Sequence, residues 1–186
     1  MISALKMTKF NVASINTCTE AEGPYKRLAI WFQGCNIGCR GCCNPDYRPI
    51  VPKHILALDE LIEIISQAQK EFGVEGVTYL GGEPTLQQGL PLLTSDIKNI
   101  GLGVIAFTGR KYEDVREILL GCDMVLDGEY VAALNDKERK LVGSTNQRIL
   151  LLTERYKEVT DWFRSSGTKN VEINVGNKIE FNGDVI

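Results

Sequence analysis

Leu28-Ala29-Ile30-Trp31-Phe32-Gln33-Gly34-Cys35-Asn36-Ile37-Gly38-Cys39-Arg40-Gly41-Cys42-Cys43-Asn44-Pro45 joins five apolar residues to a loop dense in cysteine and glycine. Leu28 to Phe32 reads as a strand buried on both faces, because the run has no polar alternation. It leads directly into a C-x3-C-x2-C run formed by Cys35, Cys39 and Cys42. Gly34, Gly38 and Gly41 open backbone conformations closed to other residues, so three thiols on one short loop are free to converge. Four thiolates would saturate a cubane iron–sulfur cluster, one per iron, whereas three leave one iron open. An open position is what separates a catalytic metal site from a structural one. Two plainer readings stand beside this one: a zinc site completed by Cys43 or His54, and a thioredoxin-like C-x2-C pair. A structural zinc ordinarily takes four ligands in two paired knuckles, and the chain has no second C-x2-C.

The rest of the composition narrows the chemistry. The chain has 186 residues, with 21 basic and 24 acidic side chains and a formal charge of −3. Hydrophobic residues at 44% and charged residues at 24% fit a globular rather than a disordered chain. The length suits a single domain over 1–186, with a core at about 23–166 and an extension at about 168–186. The slightly acidic balance gives no footprint for nucleic acid. One histidine, His54, stands against six cysteines, Cys18, Cys35, Cys39, Cys42, Cys43 and Cys122. A single histidine excludes an HExxH zinc site and a two-His-one-carboxylate iron site. Met1 to Phe10 lacks the apolar stretch of a signal peptide, and no run reaches the roughly 20 apolar residues of a membrane span. The expectation is a cytoplasmic protein with reduced thiols and no membrane partner. There a tight cysteine cluster binds metal or catalyses rather than staples the fold.

Outward from the cysteine loop the chain alternates apolar runs with amphipathic stretches. Asp59 to Phe72 reads as a helix with an apolar stripe of Leu61, Ile62, Ile64, Ile65, Ala68 and Phe72. Further strands are expected at Gly76 to Leu80, Gly103 to Phe107, Met124 to Leu126 and Arg148 to Leu152. Helices are expected after Pro84, from Lys111 to Leu120, and around Glu154 to Arg164. Strand–helix repetition implies parallel strands with right-handed crossovers. A closed eight-unit barrel needs about 250 residues. The expected fold is therefore α/β: an incomplete parallel β/α barrel of about five to six βα units, or an open sheet of the same units. At the end, Val171, Ile173 and Val175 alternate with polar residues, Gly176-Asn177 supplies a turn, and Ile179 and Phe181 resume the alternation, which predicts an appended C-terminal β-hairpin.

With its flanks, Ile30-Trp31-Phe32-Gln33-Gly34-Cys35 and Cys42-Cys43-Asn44-Pro45, the C-x3-C-x2-C run resembles the radical S-adenosylmethionine (SAM) superfamily. Within it the match is to the glycyl-radical activating-enzyme branch, the activases of anaerobic ribonucleotide reductases. Gly81-Gly82-Glu83-Pro84, Phe107-Thr108-Gly109, Asp127-Gly128-Glu129 and Gly143-Ser144-Thr145-Asn146-Gln147-Arg148 carry the same resemblance, which runs from about Gly23 to Leu152. It implies an anaerobic oxidoreductase whose Cys35, Cys39 and Cys42 hold a [4Fe-4S] cluster, with the amino and carboxylate groups of SAM on the fourth iron. One electron through the cluster would cleave SAM to a 5′-deoxyadenosyl radical, which takes hydrogen from a glycine of a protein partner, a glycyl-radical enzyme such as anaerobic ribonucleotide reductase. An electron donor such as flavodoxin or ferredoxin is implied as a second partner. The resemblance assigns SAM contacts to Gly81, Gly82, Glu83, Pro84, Thr108, Gly109, Asp127 and Asn44. Tyr25-Lys26 depart from it, standing where members of that branch often show glycine in a Gly-Pro-Gly turn.

Element order supports the same site independently, since ligands of parallel α/β folds sit at the carboxyl ends of strands. The cysteine loop, Gly81-Gly82-Glu83-Pro84, Thr108-Gly109 and Asp127-Gly128-Glu129 each follow an expected strand. Gly143 to Gln147 instead precedes its strand and, on a parallel reading, starts at the opposite rim. Plainer roles remain open for several residues. Glu83 would cap the following helix and Asp127 its own turn. Cys43 is a packed thiol beside the cluster, and Cys18 and Cys122 are small buried apolar groups. Trp31 and Phe32 belong to the core, and His54, Arg40, Lys53 and Arg110 to solvent or a partner. Rival functions are a related radical enzyme acting on another glycyl-radical enzyme, a peptide or a small molecule such as a deazapurine precursor, and a non-enzymatic zinc or iron–sulfur module.

Overall fold

The apolar runs become strands of one seven-stranded sheet in a computed structural model that describes residues 8–164, 171–175 and 179–183. In chain order the elements are β1 (Lys9–Thr19), β2 (Arg27–Phe32), β3 (His54–Ala57), α1 (Leu58–Phe72), β4 (Gly76–Gly81), α2 (Leu90–Asn99), β5 (Gly103–Thr108), α3 (Tyr112–Val115), β6 (Met124–Asp127), β7 (Arg148–Leu151), β8 (Val171–Val175) and β9 (Ile179–Gly183). The sheet runs β3-β1-β2-β4-β5-β6-β7, and β8 pairs with β9 in a separate antiparallel hairpin. The turn expected at Gly176-Asn177 lies outside the described residues. Among those residues no helix is long and apolar enough to cross a membrane.

The centre of the sheet is as expected and its margins are not. β2, β4, β5 and β6 are parallel neighbours. β1 pairs antiparallel with β2 and β3, and β7 pairs antiparallel with β6. The fifth strand thus runs opposite to the parallel reading, and the fold is a mixed α/β sheet with a four-stranded parallel centre. β1 escapes period-two reading because register shifts between Val12 and Ser14 and between Asn16 and Thr19 break its alternation. The helix expected from Lys111 to Leu120 shrinks to α3, and Glu154–Arg164 is a 3-10 segment that buries Tyr156 and Phe163.

Alternation along the central strands separates two apolar layers. Leu28, Ile30 and Phe32 of β2 with Val77 and Tyr79 of β4 pack against Leu61, Ile65 and Ala68 of α1 and Leu90, Leu93 and Ile97 of α2. Ala29 and Trp31 of β2 with Leu80 of β4 face the other way, toward Tyr47 and Phe107. Both faces are apolar because both are covered, the condition that gives parallel strands their unbroken hydrophobic runs. α1 is closed at its start by Glu60, whose carboxylate accepts from Ala57 N–H at 2.7 Å, and at its end by Gly73 at φ 67°.

Arg27, which sequence reading passed over, is fully buried at the start of β2. Its guanidinium donates to Thr78 Oγ1 at 2.5 Å, Val77 O at 2.7 Å and Tyr156 OH at 2.9 Å, and pairs with Glu75 at 3.1 Å. It therefore fastens β2, β4 and the 3-10 segment together at the end of the sheet away from the cysteines. Removing one member of such a network leaves buried polar groups without partners, and Glu75 is partly solvated, so the cost falls at the low end of the range for buried pairs. Arg27→Met is expected to lower unfolding free energy by about 3 kcal/mol. Urea denaturation of wild type and variant measures it, and a loss below about 1 kcal/mol would show the network to be dispensable.

Candidate functional site

The cysteine loop leaves β2 at Gln33 and returns to the sheet at β3. Its base is held by backbone hydrogen bonds: Gly34 N–H donates to Tyr47 O at 2.8 Å and Cys35 N–H to Arg48 O at 2.9 Å. The buried Gln33 side chain adds Nε2–H to Pro49 O at 2.7 Å. The far end of β4 locks onto the same base, with Gly82 N–H on Phe32 O at 2.9 Å and Glu83 N–H on Gly34 O at 2.8 Å. The approach is so close that a Cβ on Gly82 would stand 2.2 Å from Gly34 O, and one on Gly81, at φ 112°, 2.4 Å from Phe32 N. Glycine is required at both positions by contact with backbone that has nowhere to move.

Glu83 then carries the connection to the next rim. It is fully buried, and one carboxylate oxygen accepts from Thr85 N–H at 3.1 Å, Thr85 Oγ1–H at 2.6 Å and Thr108 Oγ1–H at 2.7 Å. The other accepts from Gly109 N–H at 3.0 Å. Glu83 thus caps the short turn after Pro84, as one of its sequence readings expected, and also ties β4 to β5, which sequence reading did not anticipate. Asp127, also fully buried, accepts from Tyr112 N–H at 2.7 Å and from Arg148 Nε–H at 2.9 Å, with a second contact from the same guanidinium.

These rims surround one cavity of about 1270 Å³. Cys35, Cys39, Cys42, Cys43 and Asn44 line it from the cysteine loop, and Gly81, Gly82, Glu83, Thr108 and Gly109 from the strand ends. Trp31, Leu80, Phe107 and Leu126 form its apolar wall. Of the eight residues to which the resemblance assigns SAM contacts, Pro84 and Asp127 are not in the wall. Pro84 is buried in the turn behind it, and the Asp127 carboxylate is spent on Arg148 and Tyr112.

Other wall residues were not foreseen. Since β7 runs antiparallel to β6, the segment before it begins at the same rim as the cysteines, and Gly143 and Gln147 reach the cavity. Gln147 accepts from Gly143 and Ser144 N–H at 3.0 Å and donates to Gly128 O at 2.9 Å. The expected displacement of Gly143 to Gln147 to the opposite rim is thereby corrected. The hairpin also contributes Asn182 and Gly183, with Gly183 N–H on the Glu22 carboxylate at 2.7 Å.

Burial pushes the Cys39 thiol above its ordinary range, the Tyr130 backbone opposes this, and Glu129, Cys35 and Cys42 add to the rise. Gathering thiolates is therefore unfavourable until a cation joins them, after which the sign of the local field reverses. Among the described residues no three His, Cys, Asp or Glu side chains are grouped to hold a single metal ion. Three thiols on a glycine-jointed loop, in a cavity larger than a single ion needs, fit a [4Fe-4S] cluster better than a single metal ion.

The 4Fe-4S single cluster domain family matches residues 21–150. The anaerobic ribonucleoside-triphosphate reductase-activating protein of Enterobacteria phage T4 is 29% identical over 150 residues, covering 75% of this chain and 92% of that protein. The pyruvate formate-lyase-activating enzyme of Staphylococcus aureus (strain USA300) is 27% identical over 176 residues, covering 85% of this chain and 68% of that protein. QueE from Escherichia coli superposes with a TM-score of 0.49 at 18% identity, and the match spans 58% of this chain and 56% of that one.

The close approach at Gly82 makes a direct prediction. Gly82→Ala is expected to cost at least about 2 kcal/mol and to displace the cysteine loop, so that iron bound after anaerobic reconstitution falls. Gly101→Ala, at φ 84° with open space around it, should cost only about 1 kcal/mol and leave iron uptake intact. Thermal melts and iron analysis of both variants check this.

Proposed function

We propose that this chain, which belongs to the 4Fe-4S single cluster domain family, is a radical SAM enzyme that activates a glycyl-radical enzyme, anaerobic ribonucleotide reductase. The observation that carries the reading is that Cys35, Cys39 and Cys42 line the same cavity as the ends of β4 and β5. The names of its relatives support the activase class. The reductase as partner rests on the likeness of Asp127-Gly128-Glu129 and Gly143 to Arg148 to that branch.

When bound, the [4Fe-4S] cluster and SAM supply the radical chemistry, a one-electron cleavage of the sulfonium that ends in removal of hydrogen from a glycine Cα. The chain's own residues do the rest. Cys35, Cys39 and Cys42 would hold the cluster through three thiolates, leaving one position for SAM. The strand end at Gly81-Gly82 lines the cavity with backbone free of side chains, which would receive the cofactor's polar groups. Glu83 holds Thr108 and Gly109 in register with it. Trp31, Leu80, Phe107 and Leu126 keep water from the reacting centre. Asp127 acts through Arg148, keeping β6 and β7 aligned. Curvature of the open sheet into an incomplete barrel about this cavity belongs to the same reading, as does a cytoplasmic setting that keeps the thiols reduced.

The reading predicts that Cys35→Ala, Cys39→Ala and Cys42→Ala each abolish SAM cleavage under dithionite, while Cys43→Ala does not. Mixed anaerobically with the reductase and SAM, wild type should yield a glycyl doublet in the electron paramagnetic resonance spectrum. Full activity in any triplet variant would refute the ligand assignment. SAM cleavage without a glycyl signal would leave the chemistry standing and reject the partner.

A further inference from the structure

The outer side of the cysteine loop is as distinctive as the side that lines the cavity. Ile50, Val51 and Ile55 are 68%, 52% and 46% exposed, an unusual density of large aliphatic surface for six consecutive residues. Their backbone is braced. Pro49 O accepts from Gln33, Val51 O accepts from Asn11 Nδ2–H at 2.8 Å, and Lys53 N–H donates to Asn11 Oδ1 at 2.9 Å. Lys53 Nζ stands 5.1 Å above the Tyr47 ring, which itself lines the cavity. From Cys35 to Ile55 there are three cations, Arg40, Arg48 and Lys53, and one carboxylate, Asp46, in a chain of net charge −3. The ridge is thus a basic island with an apolar crest on an acidic protein.

Its position gives this a use. Cys35 N–H donates to Arg48 O, so the ridge lies one backbone hydrogen bond from a cysteine of the triplet, and none of Arg48 to Ile55 lines the cavity. We propose that the ridge from Arg48 to Ile55 is the docking surface for an acidic one-electron carrier protein, an inference that rests on the cluster reading above. The carrier loses one electron, the cluster gains it, and no bond or proton moves. Electron-transfer encounters use small interfaces steered by opposite charge, with a few apolar contacts at the centre. A braced ridge of three aliphatic side chains edged by Arg48 and Lys53 has that form, and it leaves the cavity open to the glycyl-radical partner.

The test uses reconstituted holoenzyme carrying Lys53→Glu and Ile50→Asp, with Lys53→Gln alone as a milder variant. Binding of a strongly acidic flavodoxin is titrated, and SAM cleavage is driven in parallel by reduced flavodoxin and by dithionite. The double variant should bind flavodoxin about tenfold more weakly, lose a similar factor in flavodoxin-driven cleavage, and show a flatter salt dependence. Lys53→Gln should move the same way by less, and dithionite-driven cleavage should be unchanged in both. Unaltered flavodoxin binding and flavodoxin-driven rates would overturn the proposal. So would a loss confined to glycyl-radical yield on the reductase with dithionite, which would assign the ridge to that partner. Absence of dithionite-driven cleavage in wild type would instead count against the cluster reading, and the flavodoxin titration would still decide the ridge.

Discussion

The backbone hydrogen bond from Glu83 N–H to Gly34 O at 2.8 Å, beside that from Gly82 N–H to Phe32 O at 2.9 Å, joins the two halves of the site, and the approach is possible only because residue 82 has no side chain. Gly34 is the last residue before the first cysteine, and Glu83 is the residue whose carboxylate reaches β5. Loss of the contact would detach the base of the cysteine loop from the end of β4 and turn a buried carboxylate away from the four donors that justify its burial. The sequence Gly81-Gly82-Glu83 is therefore best understood as a joint. Two glycines allow the approach, and one acid spreads its effect to the neighbouring strand. Asp127 repeats the device one strand further on, with Arg148 and the Tyr112 N–H in place of threonine and glycine.

The parallel centre of the fold was legible because four apolar runs, each followed by glycine, threonine or acid, are what strands covered on both sides and ending at a ligand rim look like. The margins were hidden for identifiable reasons. Apolar runs carry no sign of direction, so Arg148 to Leu152 read as one more parallel strand. Only the pairing of Asp127 with Arg148 shows that it turns back. That reversal brings Gly143 and Gln147 to the cavity, where a parallel reading could not put them. β1 was obscured by its two register shifts. Arg27 was obscured because a charge at the start of a strand is ordinarily solvated, and nothing local announces its partners Thr78, Glu75 and Tyr156.

One departure noted in the sequence has a structural counterpart. Tyr25 holds φ 64°, the left-handed region that favours glycine. A tyrosine holds that conformation at a cost a glycine would not bear. The C-x3-C-x2-C spacing marked Cys35, Cys39 and Cys42, and the flanking resemblance gave them a cluster to hold, whereas the Asp127 carboxylate lies outside the cavity wall and accepts from Tyr112 and Arg148.

The two faces of the sheet divide the labour. Helices α1 and α2 cover one side, while the other holds the cavity, with the cysteine loop bridging from its wall to the outer surface. The proposed function rests on Cys35, Cys39 and Cys42 binding a cubane and leaving one iron for SAM. Mössbauer spectroscopy of protein reconstituted with isotopically enriched iron tests that most directly. Four irons per chain, one of which changes its spectrum when SAM is added while three do not, is the result the account predicts. A single zinc, or a cluster in which no iron responds to SAM, would contradict it.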